Sequence, residues 1–162
     1  MVPIVVMGVA GCGKSTVGAA LAARLGVPYG EADDFHPAAN VAKMHSGLAL
    51  TDADRAPWLA AIAARIATAG EQGLVVSCSA LKRAYRDVLR GPDPRTFFVH
   101  LVLTPEVATA RVSARAGHFM PSTLVASQFA TLEPLAPDEN GLGVDATLPL
   151  DKIINRVLGR LA

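Results

Sequence analysis

Hydrophobic residues lie along the chain in two kinds of pattern: short continuous runs, and longer stretches in which they recur every three or four positions. Continuous runs at residues 2–7, 74–78 and 97–103 predict buried strands, and two shorter segments, 27–29 and 144–145, predict two more. Strands that are apolar at successive positions are typical of a parallel sheet covered by helices on both faces. The pattern therefore predicts five parallel strands.

Helices are predicted in the stretches between these strands. The first runs from residue 13 to about residue 25, where Val17, Leu21 and Leu25 share one face and Gly26 ends the helix. Further helices are predicted at residues 51–69, at residues 81–89, from residue 104 to about 117, and from residue 150 onwards. Residues 118–140 are polar and interrupted by prolines, so this stretch shows neither pattern.

The first strand leads into a glycine-rich loop with the pattern G-x-x-x-x-G-K-S at residues 8–15. In such a P-loop the glycines let backbone N–H groups turn towards an anion, and the N-terminus of the following helix adds to the attraction. We expect it to bind ATP, with Lys14 on the β- and γ-phosphates and Ser15 as a ligand of Mg²⁺. The predicted ATP-binding residues are Gly8, Val9, Ala10, Gly11, Cys12, Gly13, Lys14, Ser15, Thr16 and Arg111.

Strands that alternate with helices after a P-loop predict an α/β fold. We expect a three-layer, doubly wound sandwich with a five-stranded parallel sheet, a P-loop NTPase in one domain of 162 residues. Ligands of such sheets bind beyond the carboxyl ends of the strands. Glu31 and Asp33, which follow the second strand, should therefore share a rim with Lys14, as should residues 79–82 and 145–147.

Composition excludes several partners. The formal net charge of +1 argues against binding to nucleic acid or an anionic membrane surface. No apolar run approaches the roughly 18 residues of a membrane span, and the apolar N-terminus lacks the basic residues of a signal peptide. Cys12 and Cys78 have neither metal-ligand spacing nor the pattern of a disulfide framework, which favours a reducing cytoplasm.

The rest of the chain indicates which class of nucleotide-binding protein this is. A regulatory GTPase needs an N-K-x-D motif after a strand, and the chain has none; residues 138–141 match D-x-x-G but follow no apolar strand. A mechanical ATPase usually has more domains than 162 residues can hold. A small-molecule kinase fits this size, because phosphoryl transfer requires chiefly positioning and positive charge.

Cationic side chains recur at i, i+4 spacing near the predicted rim. Lys82 and Arg86 share one face of a short helix, and Arg111 and Arg115 lie near the end of another. We expect Arg111 and Arg115 to bring positive charge to the phosphates from a closing lid, with Arg115 acting in catalysis. His36, beside the acidic loop, fits either a contact with substrate or packing within a turn.

Several further motifs accompany the P-loop. They are residues 33–37 (DDFHP), Asn40, Lys43 and Met44, residues 46–47 (SG), 50–55 (LTDADR), 57–59 (PWL), 78–82 (CSALK), 85–87 (YRD), 117–119 (GHF) and 127–129 (SQF). Together they resemble the gluconokinase family, in its thermoresistant bacterial type. The resemblance runs from about residue 4 to the terminal helix, and the middle motifs are far more specific than the P-loop.

The resemblance implies a Mg²⁺-dependent kinase that transfers the γ-phosphate of ATP to the 6-hydroxyl of D-gluconate, giving 6-phospho-D-gluconate and ADP. It also implies a fold similar to that of shikimate kinase and the nucleoside monophosphate kinases, with a substrate-binding region at about residues 33–69 and a lid at about residues 112–140. Many family members are homodimers, and the resemblance implies one here. Substrate would be bound by Asp33, His36, Arg55, Ser79, Lys82, Arg86 and Gln128.

The chemistry of gluconate agrees with these residues, because a carboxylate needs cations and a chain of hydroxyls needs acceptors. Arg55, Lys82 and Arg86 can supply the cations, and arginine suits a bidentate carboxylate contact. Asp33 can accept the proton of the attacked hydroxyl or only orient that hydroxyl, and the sequence leaves both roles open.

Three other functions remain as alternatives. A shikimate or other small-acid kinase is the first, although a shikimate kinase would have a run of three glycines where this chain has Cys78, Ser79 and Ala80. A nucleoside monophosphate kinase would need an aromatic or arginine platform for a base, and the sequence does not identify one. An ATP-binding regulatory protein is the non-enzymatic alternative.

Overall fold

The computed structural model describes residues 1–114 and 122–162. The strands in them form one parallel sheet: β1 (Pro3–Met7), β2 (Tyr29–Glu31), β3 (Leu74–Ser77), β4 (Phe97–Val102) and β5 (Gly141–Asp145). Their order is β2-β3-β1-β4-β5, which places the strand before the P-loop at the centre of the sheet. The predicted five-stranded parallel sheet is confirmed.

Helices cover both faces of this sheet. They are α1 (Lys14–Leu25), α2 (Ala38–His45), α3 (Asp52–Ala67), α4 (Arg83–Arg90), α5 (Pro105–Ala114), α6 (Ser122–Thr131) and α7 (Leu150–Leu161). Alternate residues of β1 enter different cores: Ile4 and Val6 pack in the core that contains residues of α1 and α7, and Val5 and Met7 pack in the core that contains α3 and α4. Burial on both faces explains why β1 is apolar at every position and confirms the three-layer sandwich.

Two helices were absent from the sequence interpretation. Helix α2 buries Asn40 rather than an apolar stripe, and α6 lies within the polar stretch at 118–140. Strand β5 begins at Gly141, three residues earlier than predicted, because glycine is a poor indicator of a strand. A side chain at Gly141 would overlap the carbonyl oxygen of Phe98 on β4, so the close pairing of these strands requires glycine.

The start of α3 matches its prediction closely. Thr51 and Asp54 form a capping box, in which the Thr51 hydroxyl accepts from Asp54 N–H and the Asp54 carboxylate accepts from Thr51 N–H. Lys43 of α2 donates to the same carboxylate at 2.7 Å, and this hydrogen bond is the main reason that the pKa of Asp54 is lowered to about 2. Among the described residues, no helix is long and apolar enough to cross a membrane.

Candidate active site

An open cleft of about 800 Å³ lies beyond the carboxyl ends of β1, β2 and β3. Its walls come from the P-loop with the start of α1, from the segment after β2 with α2 and α3, and from the residues after β3. Side chains of α5 and α6 complete the lining. The cleft is where the sheet topology places a ligand.

The P-loop has the conformation that its glycines allow. Gly11 and Gly13 have φ angles of 83° and 90°, in the left-handed region that glycine adopts without strain. Helix α1 begins at Lys14, and its N-cap residue, Gly13, has no side chain to cap it, which is the arrangement by which a P-loop presents N–H groups to a phosphate. The ammonium of Lys14 donates to the carbonyl of Val9 at 3.1 Å, so the cation lies beside the loop.

Two side chains from α5 and α6 hold the P-loop from outside. Arg111 donates to the carbonyl of Gly11 at 3.2 Å and to that of Ala146 at 3.1 Å, which joins the P-loop to the segment after β5. The side-chain oxygen of Gln128 accepts from the N–H of Ala10 at 2.6 Å. Gln128 therefore contacts the nucleotide loop, although the sequence grouped it with the substrate residues.

Oxygen ligands for a divalent cation meet beside the start of α1. The Ser15 hydroxyl donates to the Glu31 carboxylate at 2.5 Å, and the Tyr29 hydroxyl lies 2.8 Å from the same carboxylate oxygen. Burial raises the pKa of Tyr29, so its hydroxyl stays protonated. A hydroxyl and a carboxylate are ligands that Mg²⁺ prefers.

Trp58 of α3 fixes the segment that follows β2. Its indole N–H donates to the carbonyl of Ala32 at 2.7 Å, and the ring of His36 stacks on it with 4.3 Å between centroids. Trp58 thus holds both Ala32 and His36, and Asp33 lies between them in the sequence, in a turn of 3₁₀ helix at Ala32–Phe35. Burial lowers the pKa of His36, which favours the neutral imidazole at pH 7. Both roles considered for His36, turn packing and substrate contact, are compatible with this position.

Arg55 reaches the cleft from the first turn of α3. Its Nη1 donates to the hydroxyl of Tyr85 at 2.9 Å, and that hydroxyl donates in turn to the carboxylate of Asp52. Ser79, which follows β3, lines the same cleft. The cleft thus brings a P-loop lysine together with a carboxylate, an imidazole and a guanidinium, as a kinase for a small polar acid requires.

Comparison with known proteins decides between the remaining alternatives. The shikimate kinase family matches residues 10–132. A gluconokinase from Gluconobacter oxydans is 46% identical over 157 residues, which cover 96% of this chain and 88% of the relative. The crystal structure of a gluconokinase from Sinorhizobium meliloti is 47% identical, covers 99% of this chain and 91% of its own, and superposes with a TM-score of 0.91.

The chain belongs to the gluconokinase family. It is a kinase, and the match to the shikimate kinase family reflects a domain that the two enzymes share. A shikimate kinase from Aquifex aeolicus illustrates this: its structure superposes with a TM-score of 0.66 at 16% identity, which is a likeness of fold alone. The resemblance to gluconokinases seen in the sequence is confirmed, and a shikimate kinase is a distant relative by fold.

The cleft of this gluconokinase-family chain contains most of the predicted site residues. The lining includes Ala10, Gly11, Gly13, Lys14, Ser15, Thr16 and Arg111 of the nucleotide set, and Asp33, His36, Arg55, Ser79 and Gln128 of the substrate set. Within the described residues, Gly8, Val9 and Cys12 shape the loop from behind without lining the cleft, and the side chains of Val9 and Cys12 are buried. Arg115 lies outside the described residues.

Two predicted substrate cations take other positions. Lys82, although described, does not line the cleft, and its ammonium donates to Asp52 at 3.3 Å. Arg86 is fully buried: its Nε and Nη2 donate to Glu139 at 2.8 and 2.9 Å, and its Nη1 donates to the carbonyl of Ala80 at 2.9 Å. The guanidinium of Arg86 therefore faces the core rather than the cleft, and its predicted contact with substrate stays a prediction that this position does not support.

Sequence reasoning gave no role to Glu31 or Tyr85, which both act on predicted site residues. Glu31 could have been found from its place after β2, since the rule for strand ends had already put it on the rim. Nothing in the local sequence indicates that Tyr85 contacts Arg55, which lies 30 positions earlier in the chain.

Proposed function

We propose that the chain transfers the γ-phosphate of ATP to the 6-hydroxyl of D-gluconate, giving 6-phospho-D-gluconate and ADP. The observation that carries this proposal is the shared cleft, in which Lys14 and Ser15 of the P-loop accompany Asp33 and Arg55. The P-loop suits the triphosphate, and the other two residues suit an acceptor with hydroxyls and a carboxylate. The names of the gluconokinase relatives support gluconate as that acceptor.

Mg²⁺ belongs to the proposal, and the residues beside the P-loop fit it. Ser15 and Glu31 present oxygen atoms 2.5 Å apart, which is the ligand chemistry of a hard divalent cation. Bound there with ATP, Mg²⁺ would neutralise charge that develops on the phosphate oxygens. Lys14 adds its own positive charge to the phosphates, and the P-loop N–H groups orient them.

Each substrate residue has one task in this reaction. Asp33 accepts a hydrogen bond from the 6-hydroxyl and takes its proton as the new oxygen–phosphorus bond forms and the bond from the γ-phosphorus to the bridging oxygen of ADP breaks. Arg55 binds the carboxylate of gluconate, since its planar guanidinium can make two parallel hydrogen bonds to it. His36 and Ser79 line the space between these groups and can bond to the remaining hydroxyls.

The proposal also includes a lid, a cellular location and an oligomeric state. Arg115 follows Arg111 by one helical turn in sequence and would act on the transferred phosphate from a lid. We end that lid at residue 131, because Glu133 beyond it is bonded to the segment after β3 and to α4: its N–H donates to Leu81 O at 2.7 Å, and its carboxylate accepts from Arg83 N–H at 2.8 Å. We place the enzyme in the cytoplasm, where ATP is available and thiols stay reduced, and we propose a homodimer that light scattering would reveal.

The substrate is tested by measuring ADP release with different acceptors. Gluconate should stimulate Mg²⁺-dependent ADP release from ATP, whereas shikimate and nucleoside monophosphates should not, because the relatives with 46% and 47% identity are gluconokinases and the shikimate kinase is alike in fold alone. Phosphorus NMR of the product should show a phosphate ester on C6. Equal stimulation by gluconate and shikimate, or none by gluconate, would contradict the proposed substrate.

The role of Asp33 is tested with Asp33→Asn, which keeps an oxygen able to accept a hydrogen bond but cannot take up a proton. We expect kcat to fall by roughly 10²- to 10⁴-fold, the usual contribution of a general base, with little change in the gluconate KM. Steady-state kinetics with gluconate as the varied substrate measure both. A loss in kcat below tenfold would restrict Asp33 to orienting the hydroxyl.

A further inference from the structure

Tyr85 lies on α4 behind the cleft and has no role in the function proposed so far. Tyr85 is 6% exposed, and its ring packs in the core that contains residues of α3. Two cations approach this ring: Arg55 lies 5.3 Å and Lys82 lies 5.6 Å from the ring centroid. The sequence assigned three cations to the carboxylate of the substrate, and these two are the ones that are not buried in the core.

The hydrogen bonds of the Tyr85 hydroxyl have a fixed direction. A guanidinium can only donate, so the phenol oxygen accepts from Arg55 Nη1 at 2.9 Å. The one proton of the phenol then goes to the carboxylate of Asp52, which can only accept. Burial raises the pKa of Tyr85, which keeps that proton in place. The result is a directed chain from guanidinium to phenol to carboxylate.

The phenol takes the place of a direct hydrogen bond between Arg55 and Asp52. Arg55 Nη1 lies 3.8 Å from the Asp52 oxygen, which is too long for a hydrogen bond, so Tyr85 carries the connection. Asp52 meanwhile accepts from the ammonium of Lys82 at 3.3 Å. The hydrogen bond from Arg55 Nη1 therefore goes to a neutral group, while the Asp52 carboxylate stays at an ion-pair distance of 3.8 Å and shares its charge with Lys82.

A guanidinium held in this way is suited to bind an anion. One N–H of Nη1 is used by Tyr85, and the planar group has further N–H donors for a two-point contact with a carboxylate. A side chain as long as arginine loses considerable rotational freedom when it is fixed, and here the protein fixes it before the ligand arrives. Without the phenol hydroxyl, Arg55 would lose this rotational freedom only when gluconate binds, which would weaken binding.

We propose that Tyr85 is a positioning residue for Arg55 and, through it, for the carboxylate of the sugar acid. Asp52 supports this role by accepting the phenol proton, and Lys82 supports it by balancing the charge of Asp52. The inference rests on the proposed function, in which Arg55 binds the carboxylate of gluconate. It explains why Lys82, predicted to contact substrate, points instead to Asp52.

The test is Tyr85→Phe, which keeps the ring and removes only the hydroxyl. We expect the gluconate KM to rise about tenfold, the effect of one lost hydrogen bond to a charged group, with kcat and the ATP KM changed less than about twofold. The same substitution in an Arg55→Ala background should cause no further rise, because Tyr85 acts through Arg55. A purely structural role for Tyr85 would instead give additive effects.

Two further variants keep the result interpretable. Asp52→Ala removes the exposed carboxylate that accepts the phenol proton and should raise the gluconate KM in the same direction, without adding to the effect of Tyr85→Phe. Arg83→Ala, two positions before Tyr85 on α4, removes a surface ion pair with Asp138 and should leave the gluconate KM unchanged. Thermal unfolding of each variant checks that the fold is kept.

The outcomes separate this inference from the function on which it rests. A wild-type protein that does not phosphorylate gluconate would overturn the proposed function and the role of Tyr85 with it. A wild-type enzyme active on gluconate, combined with an unchanged KM in Tyr85→Phe or an additive double variant, would overturn the role of Tyr85 alone. If Tyr85→Phe does not fold, an unchanged KM in Asp52→Ala has the same consequence.

Discussion

Replacement of Lys14 by alanine is expected to abolish phosphoryl transfer and to leave the fold intact. The ammonium lies in the cleft, where it donates to the carbonyl of Val9 at 3.1 Å, so its removal leaves no cavity in either core. A cation that meets charge on the transferred phosphate stabilises the transition state, and its loss should lower kcat by at least about 10³-fold. A coupled assay of ADP release measures the rate, and thermal unfolding measures the fold.

Lys152→Ala is the matched control for this prediction. Lys152 is an exposed lysine on α7, and it does not belong to the lining of the cleft in the described structure. The same change of charge at this position should leave kcat within about twofold of wild type, as is usual for surface substitutions. If Lys14→Ala were folded and nearly as active as this control, the P-loop would not be the site of phosphoryl transfer.

The parts of the fold that the sequence predicted are those in which local pattern and burial coincide. Strands β1, β3 and β4 are buried on both faces, so each is a continuous apolar run. The helices α2 and α6 stand beside an open cleft and bury few apolar residues: Asn40 is the buried residue of α2, and it donates to the carbonyl of Asp54 at 2.8 Å. Such helices lack the apolar stripe by which a helix is found in a sequence.

The same distinction applies to the site. The P-loop is continuous in sequence, and Asp33 and Ser79 follow strands, so the order of the chain already placed them on the rim. The i, i+4 spacing shows that two residues share a face but not whether that face points outward, and in the fold Arg86 is buried. Its partner Glu139 lies 53 positions away, and only the folded chain brings the two together.

The pair formed by Arg86 and Glu139 gives the largest expected effect on stability. Both side chains are fully buried, and Glu139 also accepts from Arg90 at 2.5 Å and from the N–H of Ala136 at 2.8 Å. Glu139→Gln keeps the size of the side chain and leaves these guanidinium groups without their anion. Removal of one partner of a buried pair costs about 3–5 kcal/mol, so we expect the free energy of unfolding in urea to fall by about that amount.

The pH dependence of stability provides a second measure of this pair. Burial by itself would raise the pKa of Glu139, but hydrogen bonds from Arg86, Ala136 and Arg90 lower it from 4.5 to about 2. Since the pKa is lower in the folded state, the contribution of Glu139 is present above about pH 4.5 and is lost as the pH falls towards 2. The decline in wild-type stability over this range should be smaller in Glu139→Gln.

Asp138→Asn isolates the effect of burial, because Asp138 forms an exposed ion pair with Arg83 of α4, whereas Glu139 forms a buried ion pair with Arg86 of the same helix. Its carboxylate accepts two hydrogen bonds from Arg83 on α4, at 2.8 and 2.7 Å, and we expect its loss to cost less than about 1 kcal/mol in the free energy of unfolding.

The buried pair also bears on activity, because Arg86 donates to the carbonyl of Ala80, the residue that follows Ser79. Ala80 has a φ of 44°, which is strained for alanine. Loss of Glu139 should therefore disturb Ser79 as well and lower kcat/KM for gluconate, whereas Asp138→Asn should not. Equal stability and activity of the two variants would show that the buried pair does not support this side of the cleft.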